Sequence, residues 1–555
     1  MQGIYGGHLV ARHLRETEGI DTVFSLSGGH IDRIYDGFLE YGVRLIDVRH
    51  EQAAAMAAHA WSIFTGKPGI CIATAGPGFT NTLTGLVNAA LENAPLVLIS
   101  GATAIRDWQK GALQEMEQTA MVRPFVKWAA TCHDVKRVPE YISAAIRHAV
   151  SGRPGPVFLE LPPDVLNVSA PENEIVPAGS GAAVYKSGPD PAAVAKAAEM
   201  INQAKKPMLL AGSGIATDQA AELLTELVEK AGIPCGLTNN GRGAVSDLNP
   251  LSLWDGGQMG LMAVMPQADL VIALGIRFNW LLLFGEGFPQ ACVIRADIDS
   301  SELSRNRACD VGLAGDMEMT LKALLPLVEN KDRSQWLGEL KDSYLPLDAA
   351  EEAARTTASD PIHPARLAYQ VRQAVGDDAI YIMDGGDTAY FGLTSFKATQ
   401  RAHVLAASGG LLGCLGTGLP FAMGAKAALP HKKVVVFNGD GSFGFNAMEF
   451  DTFKRHDLPV LCVVNNDQAW GMIKHGQEIC YGGERIIGSE LGVVHYEQVA
   501  MALGGYGEFV DKDDQIIPAV QRALESGKPA CINALTDPCV TSPATLLFSE
   551  SLKME

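Results

Sequence analysis

Acid and amide groups stand at the ends of two apolar runs. Asp440 follows Val434–Phe437, and Asn466 with Asp467 follows Leu458–Val464. If a helix crosses between these runs, both become parallel strands, often neighbours about 4.8 Å apart, and the two tips meet at one sheet edge. Ligands of open α/β sheets bind at that carboxyl edge. Carboxylate and amide oxygens suit a hard cation such as Mg2+ or Ca2+. Gly439 and Gly441 permit close backbone approach, and Ser442 opens a helix whose start favours an anion. The set fits a metal-bridged diphosphate. The plainer alternative is a pair of turns in which Asp and Asn cap helices. A single Gly-Asp-Gly would leave that alternative ahead; two tips at this spacing favour the metal.

The elements that must position these tips are spread over a long chain. Its 555 residues exceed one core, so two to four domains are expected. With 47% hydrophobic and 19% charged residues the composition is globular. A net charge of −19 argues against nucleic acid or an anionic membrane as partner. No apolar segment is long enough to span a bilayer, and MQGIYGGHLVARHL does not read as a signal peptide. Ten scattered cysteines without a C-x-x-C pair suit a reducing compartment, so a cytoplasmic enzyme is expected.

Val-, Ile- and Leu-rich runs alternate with helical stretches throughout, which predicts α/β layers with parallel sheets. Residues 167–191 and 329–364 break the pattern and read as linkers, leaving three domains, 1–166, 188–330 and 360–540. The outer two echo each other. GICIATAGPGFTNTLTGLVNAALENAPLVLISG (69–101) and KVVVFNGDGSFGFNAMEFDTFKRHDLPVLCVVNN (433–466) each run strand, Gly-x-Gly turn, helix, then a Pro opening a second strand. The Gly-to-Pro separations are 19 and 20 residues, which favours a duplicated domain.

Gly-Asp-Gly followed 24 residues later by the NNDQAWG stretch resembles the thiamine-diphosphate motif. Over nearly its whole length the chain resembles the acetolactate synthase superfamily, and within it the branch of benzaldehyde lyase and the 2-hydroxyacyl-CoA lyases. The resemblance implies three doubly wound parallel-sheet domains of α/β class: pyrimidine-binding, central, and diphosphate-binding. It implies thiamine diphosphate held through Mg2+ (or Ca2+) by Asp440, Asp467 and the carbonyl of Ala469. The family's usual NNQxWG has Asn where Asp467 stands, so the register stays open between Asn466 and Asp467.

Further residues take roles from the same resemblance. By itself, Glu51 in RLIDVRHEQAAAMAAHA reads as an acid favoured in a helix's first turn. It falls on the family's activating glutamate, which shares a proton with N1′ of the aminopyrimidine. In GGLLGCLGTGLPFAMGA, Gly413 matches the carbonyl that accepts from the 4′-amino group, and Leu415 the apolar wedge that bends the coenzyme. Asp387 and Thr388 in MDGGDTAYFG match a diphosphate-facing loop. Gly441, Ser442, Thr74 and Asn81 complete the expected cofactor contacts.

His30 in SLSGGHIDRIYDG is the most discriminating residue, because acetolactate synthases usually carry an apolar residue there. An imidazole can exchange a proton with a substrate hydroxyl near neutral pH. Gln114 in GALQEMEQ matches the glutamine that hydrogen-bonds the reacting oxygen. The first reading is therefore a C–C lyase or carboligase acting on 2-hydroxy ketones, 2-keto acids or 2-hydroxyacyl thioesters, through a C2 carbanion and an enamine. The alternative is an acetolactate synthase condensing two pyruvates with loss of CO2. A noncatalytic cofactor-binding subunit ranks third, since such a subunit has no chemical need for Glu51.

RFNWLLLFG (277–285) resembles a stretch of the CoA-using members. It lacks the Arg-Phe-Asp-Asp-Arg pattern of flavin-binding relatives, which argues against FAD and leaves an adenine nucleotide open for the central domain. The short tail after residue 535 weighs against a thioester. Family precedent also places each active site between two chains, implying a homodimer or homotetramer and a small carbonyl substrate.

Overall fold

The structure, a computed structural model, describes residues 3–254 and 257–552. It contains three parallel sheets covered by helices, as expected. Strands such as Gly69–Ala73 and Leu96–Gly101 are buried along their whole length, which is why they read as unbroken apolar runs rather than alternating ones.

The first sheet has six strands in the order Arg44–Asp47, Thr22–Ser25, Gly69–Ala73, Leu96–Gly101, Val157–Leu161, Ala129–Thr131. The last has Val404–Ala406, Ala379–Asp384, Lys433–Gly439, Leu461–Asn466, Ala530–Leu535, Tyr506–Val510. Counted along the chain, both read 2-1-3-4-6-5. The two stretches that echo in sequence are the third and fourth strands of each. The central sheet has five strands, Cys235–Leu237, Pro207–Ala211, Leu270–Leu274, Cys292–Asp297 and Val311–Ala314.

The stretches read as linkers are structured. In 167–191, Ser169–Ala170 pairs antiparallel with Ile4–Tyr5. The buried Glu18 carboxylate then accepts from the Gly181 N–H (2.9 Å) and the Ser180 hydroxyl (2.7 Å). In 329–364 the chain forms the 23-residue helix Ser334–Thr356. Charged residues are scattered along it, but Trp336, Leu340 and Tyr344 recur every fourth position and bury one stripe against the central sheet. The Trp336 indole N–H donates to the Pro207 carbonyl at 2.9 Å.

The outer domains meet through two helices, Glu51–Thr65 and Gly418–Ala428. Alanines on the first and Gly424 on the second bring the backbones close. Arg242 joins the central domain to the last: its buried guanidinium pairs with Asp247 and donates to the carbonyls of Leu393 (2.8 Å) and Phe396 (2.9 Å).

Candidate functional site

In the last sheet the strand order reverses between Ala379–Asp384 and Lys433–Gly439, which opens a crevice at their carboxyl ends. Asp440 follows the second of these strands, and Asp467 follows its neighbour Leu461–Asn466. Asp440 Oδ1 accepts from the Gly441 N–H at 2.8 Å, while Oδ2 is buried without a partner. Asp467 Oδ1 accepts from the Ala469 N–H at 3.2 Å. The two side chains meet, and both carboxyls titrate above the ordinary range. Burial is the main cause for each; the Asp467 charge adds to it at Asp440, and the Asp387 charge at Asp467.

Asn466 is spent elsewhere. Its amide donates to Asn533 Oδ1 (3.0 Å) and the Val494 carbonyl (3.2 Å), and its oxygen accepts from the Gln468 N–H (3.2 Å). Between the two candidates, the residue facing Asp440 is Asp467. Asp387 also departs from expectation. Its carboxylate takes the hydroxyls of Ser542 (2.5 Å) and Thr545 and pairs with His475 Nδ1 (2.9 Å), so it anchors the C-terminal helix Pro543–Leu552 rather than facing an anion. A bare carboxylate turned to a diphosphate would repel it; here the charge is neutralised internally.

Thr388 Oγ1 accepts from Asn465 Nδ2 at 2.9 Å. Gly441 lies so close to Trp470 that a methyl group would come within 2.6 Å of its ring. Burial pushes the Asp384 carboxyl up to about 6. Asp384 accepts the Gly418 N–H at 2.8 Å, so it organises this edge although sequence reasoning passed over it. Its signal was present: like Asp440, it ends an apolar run.

In the first sheet the same reversal brings together the loops after Thr22–Ser25 and Gly69–Ala73. His30 Nδ1 and Thr74 Oγ1 meet there at 3.2 Å. Burial pulls the His30 pKa down, which favours the neutral imidazole. Glu51 opens its helix as a buried carboxylate whose Oε2 accepts from Asn81 Nδ2 at 2.9 Å, so Asn81 orients the acid. Gln114, with φ 60°, leans on Gly76 and keeps a buried Oε1 without a partner. The nearby Gln118 is spent on the Gly76 N–H and the Gly101 carbonyl.

The loop carrying Gly413 and Leu415 is fixed from both sides. Glu92 Oε1 accepts the Leu411 N–H at 3.0 Å, and Asn446 Nδ2 donates to the Gly416 carbonyl at 2.6 Å. Gly413 has φ 63°, a conformation that favours glycine. The expected residues thus form two groups, one at the edge of each outer sheet. Among the described residues, no hydrogen bond links the Glu51 carboxylate to the Asp440 group.

Three family models cover most of the chain. The thiamine pyrophosphate enzyme N-terminal TPP binding domain matches residues 4–121, the central domain 194–324, and the C-terminal TPP binding domain 384–534. The chain belongs to the thiamine pyrophosphate enzymes. It is 35% identical to acetolactate synthase large subunit IlvG of Mycobacterium tuberculosis over 98% of this chain and 97% of that one. It is also 30% identical to mouse 2-hydroxyacyl-CoA lyase 1 (98% and 95% covered). Against acetolactate synthase isozyme 2 large subunit of Escherichia coli the identity is 31% (95% and 94% covered).

A thiamine pyrophosphate enzyme makes or breaks carbon–carbon bonds with its coenzyme, and the residues present fit that group. The orphaned Asp440 Oδ2 and the facing Asp467 place carboxylate oxygens of the kind a divalent cation takes at one sheet edge. Among the described residues no group of three or more His, Cys, Asp or Glu could by itself hold a metal ion. Glu51 lies beside Gly78, where a methyl group would stand 3.3 Å from Oε1. None of this enzyme's described helices is long and apolar enough to cross a membrane.

Proposed function

We propose that this thiamine pyrophosphate enzyme cleaves or joins carbon–carbon bonds next to a hydroxyl, acting on 2-hydroxy ketones, 2-keto acids or 2-hydroxyacyl thioesters. Bound coenzyme supplies a thiazolium carbon that adds to the substrate carbonyl and holds electrons while the neighbouring bond breaks or forms. Asp440 and Asp467 hold the cation, with the Ala469 carbonyl as a third ligand. Glu51, oriented by Asn81, shares a proton with the pyrimidine ring. The Gly413 carbonyl and the Leu415 side chain would orient the coenzyme's rings.

The observation that carries the lyase reading is His30. Thr74 holds its Nδ1 at 3.2 Å, and burial keeps the ring neutral, which suits Nε2 to take a proton from a substrate hydroxyl. Gln114, whose buried Oε1 has no partner, offers a second polar group to the reacting oxygen. The 35% identity to an acetolactate synthase favours a second reading, condensation of two pyruvates with loss of CO2.

Enzyme supplied with thiamine diphosphate and Mg2+ is tested on benzoin or acetoin and on pyruvate. Cleavage of the acyloin without CO2 release from pyruvate supports the lyase. Rapid CO2 release with acetolactate formation supports the synthase.

A further inference from the structure

Glu449 is a buried carboxylate to which the proposed chemistry assigns no role. It begins the helix Glu449–Arg455, directly after the helix Asp440–Asn446 that carries the cation-facing acid. Its partners lie about 400 residues away, in the segment that leads into Glu51. Oε1 accepts the Arg49 N–H at 3.0 Å and the His50 N–H at 3.2 Å; Oε2 accepts the Arg49 N–H at 3.2 Å and the Thr452 hydroxyl at 2.6 Å. The same helix reaches further back along that segment. Arg455 donates to Asp47 Oδ2 (2.6 Å) and to the Asp47 carbonyl (2.8 Å), and His456 Nε2 meets Asp47 Oδ1 at 2.7 Å.

We infer that Glu449 is a positioning residue for Glu51. Arg49 and His50 are the last residues before the helix that Glu51 opens, so their N–H groups fix where that helix starts and how its first side chain is aimed. His50 adds a local cap by accepting the Gln52 N–H on Nδ1 at 3.2 Å, but this orients the helix only relative to His50 itself. Glu449 supplies the external reference. Because its helix directly follows the one that carries Asp440 and Asn446, and Asn446 holds the Gly416 carbonyl, one run of chain sets the cation acid, the pyrimidine-facing loop and the start of the Glu51 helix. Burying a carboxylate in that place is costly, and burial lifts its pKa to about 7 against the pull of the Thr452, Arg49 and His50 bonds. The cost is offset by the hydrogen bonds it accepts from two backbone donors and the Thr452 hydroxyl.

The inference rests on Glu51 acting at the coenzyme ring, and the test separates the two. Holoenzyme with thiamine diphosphate and Mg2+ is transferred to D2O, and exchange of the coenzyme's C2 proton is followed by acid quench and NMR, with coenzyme affinity measured by fluorescence titration. Glu449→Ala is expected to slow exchange at least about tenfold while coenzyme affinity changes less than about threefold, since small displacements of a catalytic group cost up to about a hundredfold. Glu449→Gln, which keeps an acceptor oxygen for both N–H groups, recovers most of the rate. If the alanine variant does not fold, Glu449→Asp, which withdraws the carboxylate by one methylene, carries the same expectation. Glu51→Gln is the control. Slow exchange in the control with wild-type rates in Glu449→Ala or Glu449→Asp overturns the inference alone. Wild-type exchange in Glu51→Gln overturns the reading of Glu51 and the inference with it.

Discussion

The imidazole of His59 stands edge-on to the ring of Phe421, with centroids 4.9 Å apart and planes at 67°. This contact sits where the helix Glu51–Thr65 of the first domain packs on Gly418–Ala428 of the last. His59 is fully buried, its Nδ1 has no partner, and burial pushes its pKa down to about 4. The folded state therefore resists proton uptake that the unfolded chain accepts near 6.5. Stability is complete above pH 6.5 and is lost as pH falls toward 4, by about 2 kcal/mol at pH 5. Melting curves at pH 7.5 and 5 should show His59→Leu losing less than the wild type by about that amount. An equal loss in both would exclude His59 as the source.

The same helix pair depends on Gly424. A methyl group there would lie 2.2 Å from the Ala57 carbonyl oxygen. Gly424→Ala must push two backbones apart, and a cost of about 3 kcal/mol is expected. Differential scanning calorimetry should record a lower melting temperature. An unchanged one would mean that the helices separate at no cost.

Asp440 and Asp467 repel each other while no cation lies between them. Asp467→Asn removes one charge and should raise the melting temperature of the coenzyme-free protein, while the increment from Mg2+ with thiamine diphosphate shrinks. Thermal shift with and without Mg2+ measures both. A lower apo melting temperature with an undiminished Mg2+ increment would contradict the assignment of this pair.

If His30 moves a proton at the substrate hydroxyl, His30→Gln should lower kcat for acyloin cleavage by about a hundredfold. Exchange of the coenzyme's C2 proton, which needs Glu51 and not His30, should stay at the wild-type rate. Loss of both together would place His30 in coenzyme activation instead.

The sheets were legible because parallel strands buried on both faces are written as unbroken apolar runs, and Asp440 and Asp467 because each ends one. One-residue choices were not. Asn466 and Asp467 are adjacent, and side chains alternate faces along a strand, so register alone decides which one turns to Asp440. In MDGGD both acids are buried, yet Asp384 organises the crevice while Asp387 anchors the C-terminal helix. Glu449 carried no signal in sequence, because the backbone donors it serves lie 400 residues away at Arg49. The helix Ser334–Thr356 was hidden by its scattered charged residues; only the four-residue spacing of Trp336, Leu340 and Tyr344 marks it.

If one coenzyme is gripped at its ring by Glu51 of one chain and at its diphosphate, through a cation, by Asp440 of another, complementary variants should rescue each other. Glu51→Gln and Asp440→Ala, each inactive alone, are co-expressed with different tags and the mixed dimer is isolated. A shared site gives each mixed dimer one intact centre and one doubly damaged centre, so about half of the wild-type activity per dimer should return. A mixed dimer as inactive as either parent would contradict the shared site.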